Sequence, residues 1–309
     1  MNSTDVTFDS DGCALAGTYS EADRPVAAAL LIAGSGKTDR NSDVRLPFGQ
    51  SLRAGITGAL AATLDRAHVS SLRFDKRGVG ASGGDYYAVG MDQRLADAAS
   101  ALAWLAARQP GLPLLVIGHS EGCYYAARLG ADEPRVAGVV LLSGSARPGG
   151  AVLAWQTQQL APRLPRSAKV ILRLLRTDAI KAQRKNQDKI MASTEDAIRV
   201  QGTKVAARWF RDFVRYDPAV ALSRLAVPVL AITGGHDLQV PPADVEATGK
   251  LVRGPFEGHV AGDVSHMLRP DPGLAGLRGY RRAAREPVSP EVLTLITDWV
   301  ARHWDGAGR

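Results

Sequence analysis

Short apolar runs alternate with longer amphipathic stretches along most of this chain. Several runs are continuous and bounded by Gly or Pro, which is typical of strands buried on both faces. Val6–Phe8 and Leu15–Tyr19 flank Asp11-Gly12, which predicts an N-terminal hairpin. The other predicted strands are Ala27–Ile32, Val69–Phe74, Leu114–Ile117, Val136–Leu142, Val229–Thr233 and a short run near Glu257–Val260.

The stretches between these runs carry apolar residues at helical spacing. The stretch from Met91 to Arg108 places Leu95, Ala98 and Leu102 on one stripe. The alternation of strand and helix predicts an α/β fold, with a mostly parallel sheet and helices on both faces. The predicted helices are about Ser51–Ala67, Met91–Arg108, Glu121–Gly130, Ala243–Lys250 and Glu291–Trp304.

One segment interrupts this alternation. Residues 146–217 contain no convincing strand, only an Arg- and Lys-rich helical pattern such as Val170–Leu175 and Ala197–Val214. We expect a helical insertion that caps the carboxyl edge of the sheet, where ligands bind in open α/β sheets. The predicted division is a core of residues 1–145 and 218–309, with a basic cap at 146–217.

Positive charge is concentrated in this insertion. The net charge is +7, but Ala146–Tyr216 carries 15 basic and 5 acidic residues, so the rest of the chain is mildly acidic. Aromatic residues form only 6% of the chain and are not interleaved with the basic ones, which disfavours nucleic-acid binding. The simplest interpretation is a solvated helix face, and the second is attraction to an anionic substrate.

Other features limit the class of protein. The longest apolar run, Val26–Ala33, is far shorter than the roughly 18 residues of a membrane span. The N-terminus lacks the basic and apolar regions of a secretory signal. Two cysteines, Cys13 and Cys123, do not make a disulfide framework. We therefore expect a cytoplasmic protein without a membrane span.

Two segments match the pattern G-x-S-x-G, which places a nucleophilic serine on a sharp turn between a strand and a helix. In Gly118–Gly122 the predicted strand Leu114–Ile117 runs directly into the turn, and a helical pattern follows. The second match, Gly80–Gly84, lies inside a glycine-rich loop. We therefore expect Ser120 to be the nucleophile and Ser82 to be a loop residue.

Two glycine-rich segments resemble nucleotide-binding motifs but lack the necessary context. Gly78–Gly83 satisfies G-x-G-x-x-G, yet Asp75-Lys76-Arg77 separates it from the strand and no helix begins there. Gly34–Thr38 resembles the end of a phosphate-binding loop, but Leu31 replaces the first glycine of that motif. Neither segment predicts a nucleotide cofactor.

A serine hydroxyl is an effective nucleophile only when a positioned base takes its proton and an acid orients that base. His266 lies in a polar loop after the last predicted strand, whereas His303 lies in a predicted helix. Asp237 follows closely on a strand, and Asp263 is the alternative acid. We expect His266 to be the general base and Asp237 the acid.

The charge that develops on the carbonyl oxygen during acyl transfer requires backbone N–H donors already in place. One donor is expected from Glu121, directly after the serine. The second is expected from Ser35, in the loop after the strand Ala27–Ile32.

Five motifs begin at Ala33, Phe74, Gly118, Thr233 and Ser265. In order and spacing they resemble the α/β-hydrolase carboxylesterases, in particular the bacterial branch of serine aminopeptidase-like or EstD-like acyl esterases. The resemblance covers nearly the whole chain outside the insertion. Ala33 and Lys37 depart from it, since His and Pro are frequent at those positions. The motifs are Ala33–Gly36 with Asp39-Arg40, Phe74–Ser82, Gly118–Gly122, Thr233–Asp237 and Ser265-His266.

The resemblance implies hydrolysis of carboxylic esters, usually of short acyl groups, without a metal or organic cofactor. It assigns the same roles to Ser120, Asp237, His266, Ser35 and Glu121. An acyl thioesterase, a lactonase or a peptidase would use the same residues, and the basic insertion suggests an anionic ester such as an acyl-CoA. A non-catalytic ligand receptor of the same fold is the alternative from another class.

Overall fold

A computed structural model describes residues 2–45, 51–174, 176–271, 279 and 282–305. Twelve strands lie in these ranges. They are β1 (Asn2–Ser10), β2 (Cys13–Glu21), β3 (Ala27–Ile32), β4 (Val44–Arg45), β5 (Ser51–Leu52), β6 (Val69–Phe74), β7 (Leu114–His119), β8 (Val136–Leu142), β9 (Ala197–Val200), β10 (Thr203–Ala206), β11 (Val229–Gly234) and β12 (Phe256–Ala261).

Ten α-helices lie entirely within the same ranges, together with a short 3₁₀ helix at Ala161–Arg163 and a π-helical turn at Ala301–Asp305. The α-helices are α1 (Ile56–Arg66), α2 (Met91–Arg108), α3 (Gly122–Asp132), α4 (Gly149–Leu160), α5 (Arg166–Leu174), α6 (Ala179–Met191), α7 (Ala207–Arg215), α8 (Ala219–Leu222), α9 (Asp244–Leu251) and α10 (Pro290–Val300).

Eight strands form one sheet in the order β1-β2-β6-β3-β7-β8-β11-β12. The pairs from β6 to β12 are all parallel, whereas β1 and β2 form an antiparallel hairpin joined to β6. The predicted mostly parallel α/β sheet is therefore confirmed. The six strands β6, β3, β7, β8, β11 and β12 run in one direction. Their carboxyl ends therefore meet at one edge of the sheet, where loops from several strands can form a site.

Side chains of the central strands alternate between two hydrophobic layers. Leu30 of β3 packs with α2 and α3 on one face, whereas Leu31 packs with α1 and α10 on the other. Both leucines are almost fully buried. Burial of one such side chain contributes about 1.5–3 kcal/mol, and the two layers fix the sheet between its helices.

The segment between β8 and β11 differs from the sequence prediction. The helix predicted at Ala197–Val214 was wrong for its first ten residues. They form the antiparallel hairpin of β9 and β10, and helix α7 begins only at Ala207. The hairpin turns at Gln201 and Gly202, both with positive φ, which favours Gly. Its strands carry β-branched residues that could have indicated this.

Two other predicted helices differ at their boundaries. The helix predicted from Ser51 begins at Ile56, after the short strand β5. The helix predicted at Val170–Leu175 corresponds to α5, and Leu175 lies outside the described residues. None of the helices that the structure describes combines the length and apolar character needed to cross a membrane.

Candidate active site

Ser120 occupies the tight turn between β7 and α3. Its φ is +53°, in the left-handed region that side-chain-bearing residues rarely adopt. The turn is held by hydrogen bonds from the Ser120 N–H to the Leu142 carbonyl at 2.9 Å and from the Cys123 N–H to the Ser120 carbonyl at 3.0 Å. The strand–turn–helix context used to select Ser120 from the sequence is therefore present in the structure.

The two glycines of this motif are required by close backbone packing. A Cβ on Gly118 would lie 2.3 Å from the Gly122 carbonyl oxygen, and a Cβ on Gly122 would lie 2.3 Å from that of Ile32. Neither distance is compatible with a side chain. Strand β7, helix α3 and strand β3 can approach this closely only because both positions lack a Cβ.

Ser120, His266 and Asp237 form a continuous hydrogen-bonded chain. His266 Nε2 lies 3.0 Å from Ser120 Oγ, and His266 Nδ1 lies 2.8 Å from Asp237 Oδ2. Because a carboxylate only accepts, the Nδ1 proton points to Asp237 and Nε2 is free to accept the serine proton. This is the tautomer that a general base requires.

The position of Asp237 is fixed from its other side. Its Oδ1 accepts the backbone N–H groups of Gln239 at 2.7 Å and Val240 at 2.9 Å. Asp237 follows the carboxyl end of β11 and His266 follows that of β12, so the adjacent strands bring the two side chains together. The Asp237 side chain is fully buried, which shields its hydrogen bond to His266 from water.

The alternative acid, another histidine and the second serine that the sequence offered lie outside this hydrogen-bonded chain. Asp263 is exposed and its carboxylate lies 3.6 Å from His236 Nε2, not against His266. His303 Nδ1 lies 2.8 Å from the Trp299 carbonyl oxygen. Ser82 Oγ donates to the Asp75 carbonyl at 2.7 Å and accepts the Ala16 N–H at 2.9 Å, so it braces a loop.

Ser35 and Glu121 both line the pocket into which Ser120 opens. A Cβ on Gly34 would lie 3.2 Å from Ser120 Cβ, so the loop that carries Ser35 passes directly beside the nucleophile. Among the residues that the structure describes, no acceptor takes a hydrogen bond from the Ser35 or Glu121 backbone N–H.

His119 is a residue of the site that sequence reasoning missed. It is buried beside His266, with ring centroids 5.2 Å apart, and its Nε2 lies 2.9 Å from the His266 carbonyl oxygen. Burial and the neighbouring His266 lower the pKa of His119 to about 3, so its ring is neutral. His119 therefore donates a hydrogen bond from Nε2 and fixes the backbone of His266, the predicted base. In the sequence, the position of His119 directly before Ser120 was the one signal that could have indicated this role.

The side chain of Glu121 has a second, unforeseen set of contacts. Its Oε1 accepts the Tyr125 hydroxyl at 2.5 Å, the Trp209 indole N–H at 2.7 Å and Arg94 Nη1 at 3.1 Å. Burial alone would raise the pKa of the Glu121 carboxyl. The positive charge of Arg94, and to a smaller extent that of Lys76, holds this pKa below its usual range. A buried carboxylate therefore joins α2, α3 and the inserted helix α7 next to the nucleophile.

The pocket above Ser120 has a volume of about 80 Å³. The insertion supplies much of its wall, including the stacked rings of Trp209 and Phe213, whose centroids are 5.2 Å apart. These two rings belong to helix α7, so the segment between β8 and β11 lines the pocket beside the nucleophile. The other residues of this segment that line the pocket are Val152, Leu153 and Gln156.

Comparison with known proteins places this architecture among hydrolases. Esterase EstD of Thermotoga maritima is 24% identical over 281 residues, which are 90% of this chain and 63% of that protein. The chain thus spans less than two thirds of this relative. Est1E from Butyrivibrio proteoclasticus, solved with ferulic acid, superposes with a TM-score of 0.62 at 16% identity over 96% of each chain.

A further solved structure has the same fold. The α/β hydrolase GrgF from Penicillium sp. sh18 gives a TM-score of 0.64 at 15% identity, covering 99% of this chain and 100% of its own. The model of the serine aminopeptidase S33 family matches residues 49–268, which are more than two thirds of the chain. The chain therefore belongs to the serine aminopeptidase S33 family and has the α/β-hydrolase fold.

Proposed function

We propose that the protein is a serine hydrolase that cleaves carboxylic esters through an acyl-enzyme on Ser120. The observation that carries the proposal is the hydrogen-bonded chain from Ser120 Oγ through His266 to Asp237. The esterases among its structural and sequence relatives support an ester as the substrate. The neighbouring Ser35 and Glu121 amides supply the remaining requirement, donors for an oxyanion.

The reaction proceeds in two proton-balanced steps. Ser120 Oγ attacks the ester carbonyl carbon while His266 Nε2 takes the hydroxyl proton, and the Ser35 and Glu121 N–H groups stabilise the resulting oxyanion. His266 then gives this proton to the leaving alcohol. Water attacks the acyl-enzyme with His266 again as base, and Ser120 regains its proton as the acid is released. Asp237 stabilises the imidazolium throughout.

A fluorophosphonate probe tests this function without knowledge of the natural ester. We expect the wild-type protein to form a stable adduct, and peptide mass spectrometry to locate it on Ser120, because only an activated serine attacks the probe. Ser82→Ala, which alters the other G-x-S-x-G match, should label normally. Absence of labelling in the folded wild-type protein would favour the non-catalytic receptor instead.

We further propose that residues 146–217 form a cap that limits acyl length. A volume of about 80 Å³ is well below the roughly 300–1,000 Å³ of typical small-molecule sites, so the pocket favours a short acyl group. We expect kcat/KM for p-nitrophenyl acetate to exceed that for the octanoate by at least about tenfold. Leu153→Ala, which enlarges the wall, should reduce this preference; a wild-type preference for octanoate would contradict the assignment.

A second set of substrates separates the other substrate classes. It contains thioesters, lactones and aminoacyl amides whose acyl part is similar in size to that of the best ester. The compound with the highest kcat/KM identifies the bond that the protein prefers. No Lys or Arg lines the pocket in the described part of the chain, so the charge of an anionic ester would meet the basic helices outside it. A rise in KM with ionic strength for anionic but not neutral esters tests that contact.

A further inference from the structure

The ammonium group of Lys76 is buried beneath the loop that carries Ser35. Its Nζ donates to the carbonyl oxygen of Gly34, to that of Gly36 at 3.1 Å and to the Thr38 hydroxyl oxygen at 3.0 Å. The Thr38 hydroxyl in turn donates to Gly34 O at 2.9 Å. Lys76 lies just beyond the end of β6, so one rigid strand end holds this loop through three hydrogen bonds.

The contact with Gly34 acts on the peptide unit that includes the Ser35 N–H. In a trans peptide the C=O and N–H groups point in opposite directions, so holding the Gly34 oxygen against Lys76 directs the Ser35 N–H away from it. Ser35 lines the pocket there beside Ser120. A cation on the carbonyl oxygen also polarises the peptide and makes its N–H a stronger donor.

We propose that Lys76 is a positioning residue for the oxyanion, acting through the Gly34–Ser35 peptide that it orients and polarises. This inference rests on the proposed serine hydrolase function and assigns the origin of one donor in it. A buried lysine beneath the loop supplies its rigidity.

The charge on Lys76 is balanced by its surroundings. Glu121 Oε2 lies 3.8 Å from Nζ, and Arg94, on the far side of Glu121, is the other charged group nearby. Tyr86 and Tyr125 contact Arg94 and Glu121 in the same cluster. Burial lowers the pKa of Lys76 to about 8, with Glu121 raising it and Arg94 lowering it. The ammonium form is thus present at pH 7 and is lost as the pH rises through 8.

The test compares Lys76→Met with Lys37→Met. Lys37 lies on the same loop two residues from Ser35, but its exposed ammonium lies over the Tyr87 ring, 4.4 Å from the centroid. We expect Lys76→Met to lower the rate constant of fluorophosphonate labelling at Ser120, and kcat for p-nitrophenyl acetate, by about 10²- to 10³-fold, the loss typical of one oxyanion donor. KM should change little, and Lys37→Met should stay within about threefold of wild type.

The pH profile gives a readout that a merely structural lysine would not move. The wild-type labelling rate should fall above pH 8 as Lys76 loses its proton. Lys76→Arg should lose this alkaline limb, because a guanidinium stays protonated. Glu121→Gln removes the carboxylate that raises the pKa of Lys76, so the limb should move to lower pH.

The outcomes separate this inference from the proposed function. If wild type labels at Ser120 but Lys76→Met labels equally fast, the role of Lys76 is overturned and the serine hydrolase stands. If Lys76→Met does not fold, Lys76→Gln takes its place, and labelling at the wild-type rate by that folded variant overturns the role equally. If wild type does not label at Ser120 at all, the proposed function fails and the inference falls with it.

Discussion

Replacing Ser120 with alanine is expected to lower kcat for p-nitrophenyl acetate by about 10⁴- to 10⁶-fold. The alanine removes the atom that attacks the carbonyl and leaves His266 without a hydroxyl to activate, so no acyl-enzyme forms. The variant should fold, because a methyl side chain tolerates the strained turn at least as well as the hydroxymethyl group. Initial rates, corrected for spontaneous hydrolysis, give the measurement.

Ser82→Ala is the matched control for this experiment. It changes the same residue type within the same five-residue pattern, but its hydroxyl braces the loop at Asp75 instead of lining the pocket. Its kcat should stay within severalfold of wild type, with a modest fall in melting temperature from two lost hydrogen bonds. Turnover above one hundredth of wild type in Ser120→Ala would remove Ser120 from its assigned role.

Asp237→Asn is expected to lower kcat by about 10⁴-fold with little change in KM. The two backbone N–H groups of Gln239 and Val240 that bind Oδ1 will select the amide oxygen of the asparagine for that position. Its NH₂ group must then face His266 Nδ1, which has to accept. The proton consequently moves to Nε2, and the imidazole can no longer accept from Ser120.

Proton NMR can test this tautomer switch directly. The low-field resonance of an Nδ1 proton shared with a carboxylate should be present in wild type and absent from Asp237→Asn. Asp263→Asn is the control, since Asp263 is exposed and lies three residues from His266. We expect its kcat to remain within about threefold of wild type. An equal loss in both variants would show that Asp237 does not orient the base.

The strands and the serine turn could be predicted because local sequence determines them. The central strands β3, β7, β8 and β11 are short buried apolar runs bounded by turn residues, and their length and Gly or Pro boundaries separate them from the amphipathic helices. Ser120 could be separated from Ser82 because a strand enters one turn and not the other. The meeting of Asp237 and His266 could be predicted because parallel strands bring the loops at their carboxyl ends to one edge of the sheet.

The remaining features depend on contacts between distant parts of the chain. Trp209 lies 88 residues from Glu121, and Lys76 lies 42 residues from Gly34, so no local pattern links them. The hairpin β9–β10 was missed for another reason, since its Lys and Arg residues also fit an amphipathic helix. In that segment β-branched residues and the Gln201-Gly202 turn outweighed helical spacing.

The hydrogen bond from Trp209 to Glu121 limits how this molecule can be recombined with its relatives. A chimaera that kept the sheet but took its insertion from another family member would need an indole N–H at the same place in α7. Without it, a buried carboxylate beside the nucleophile would lose one of its three donors. Helix α4 also lines the pocket but makes no such bond to Glu121 in the described part of the chain, so we expect its lining residues to vary independently while α7 varies together with the core.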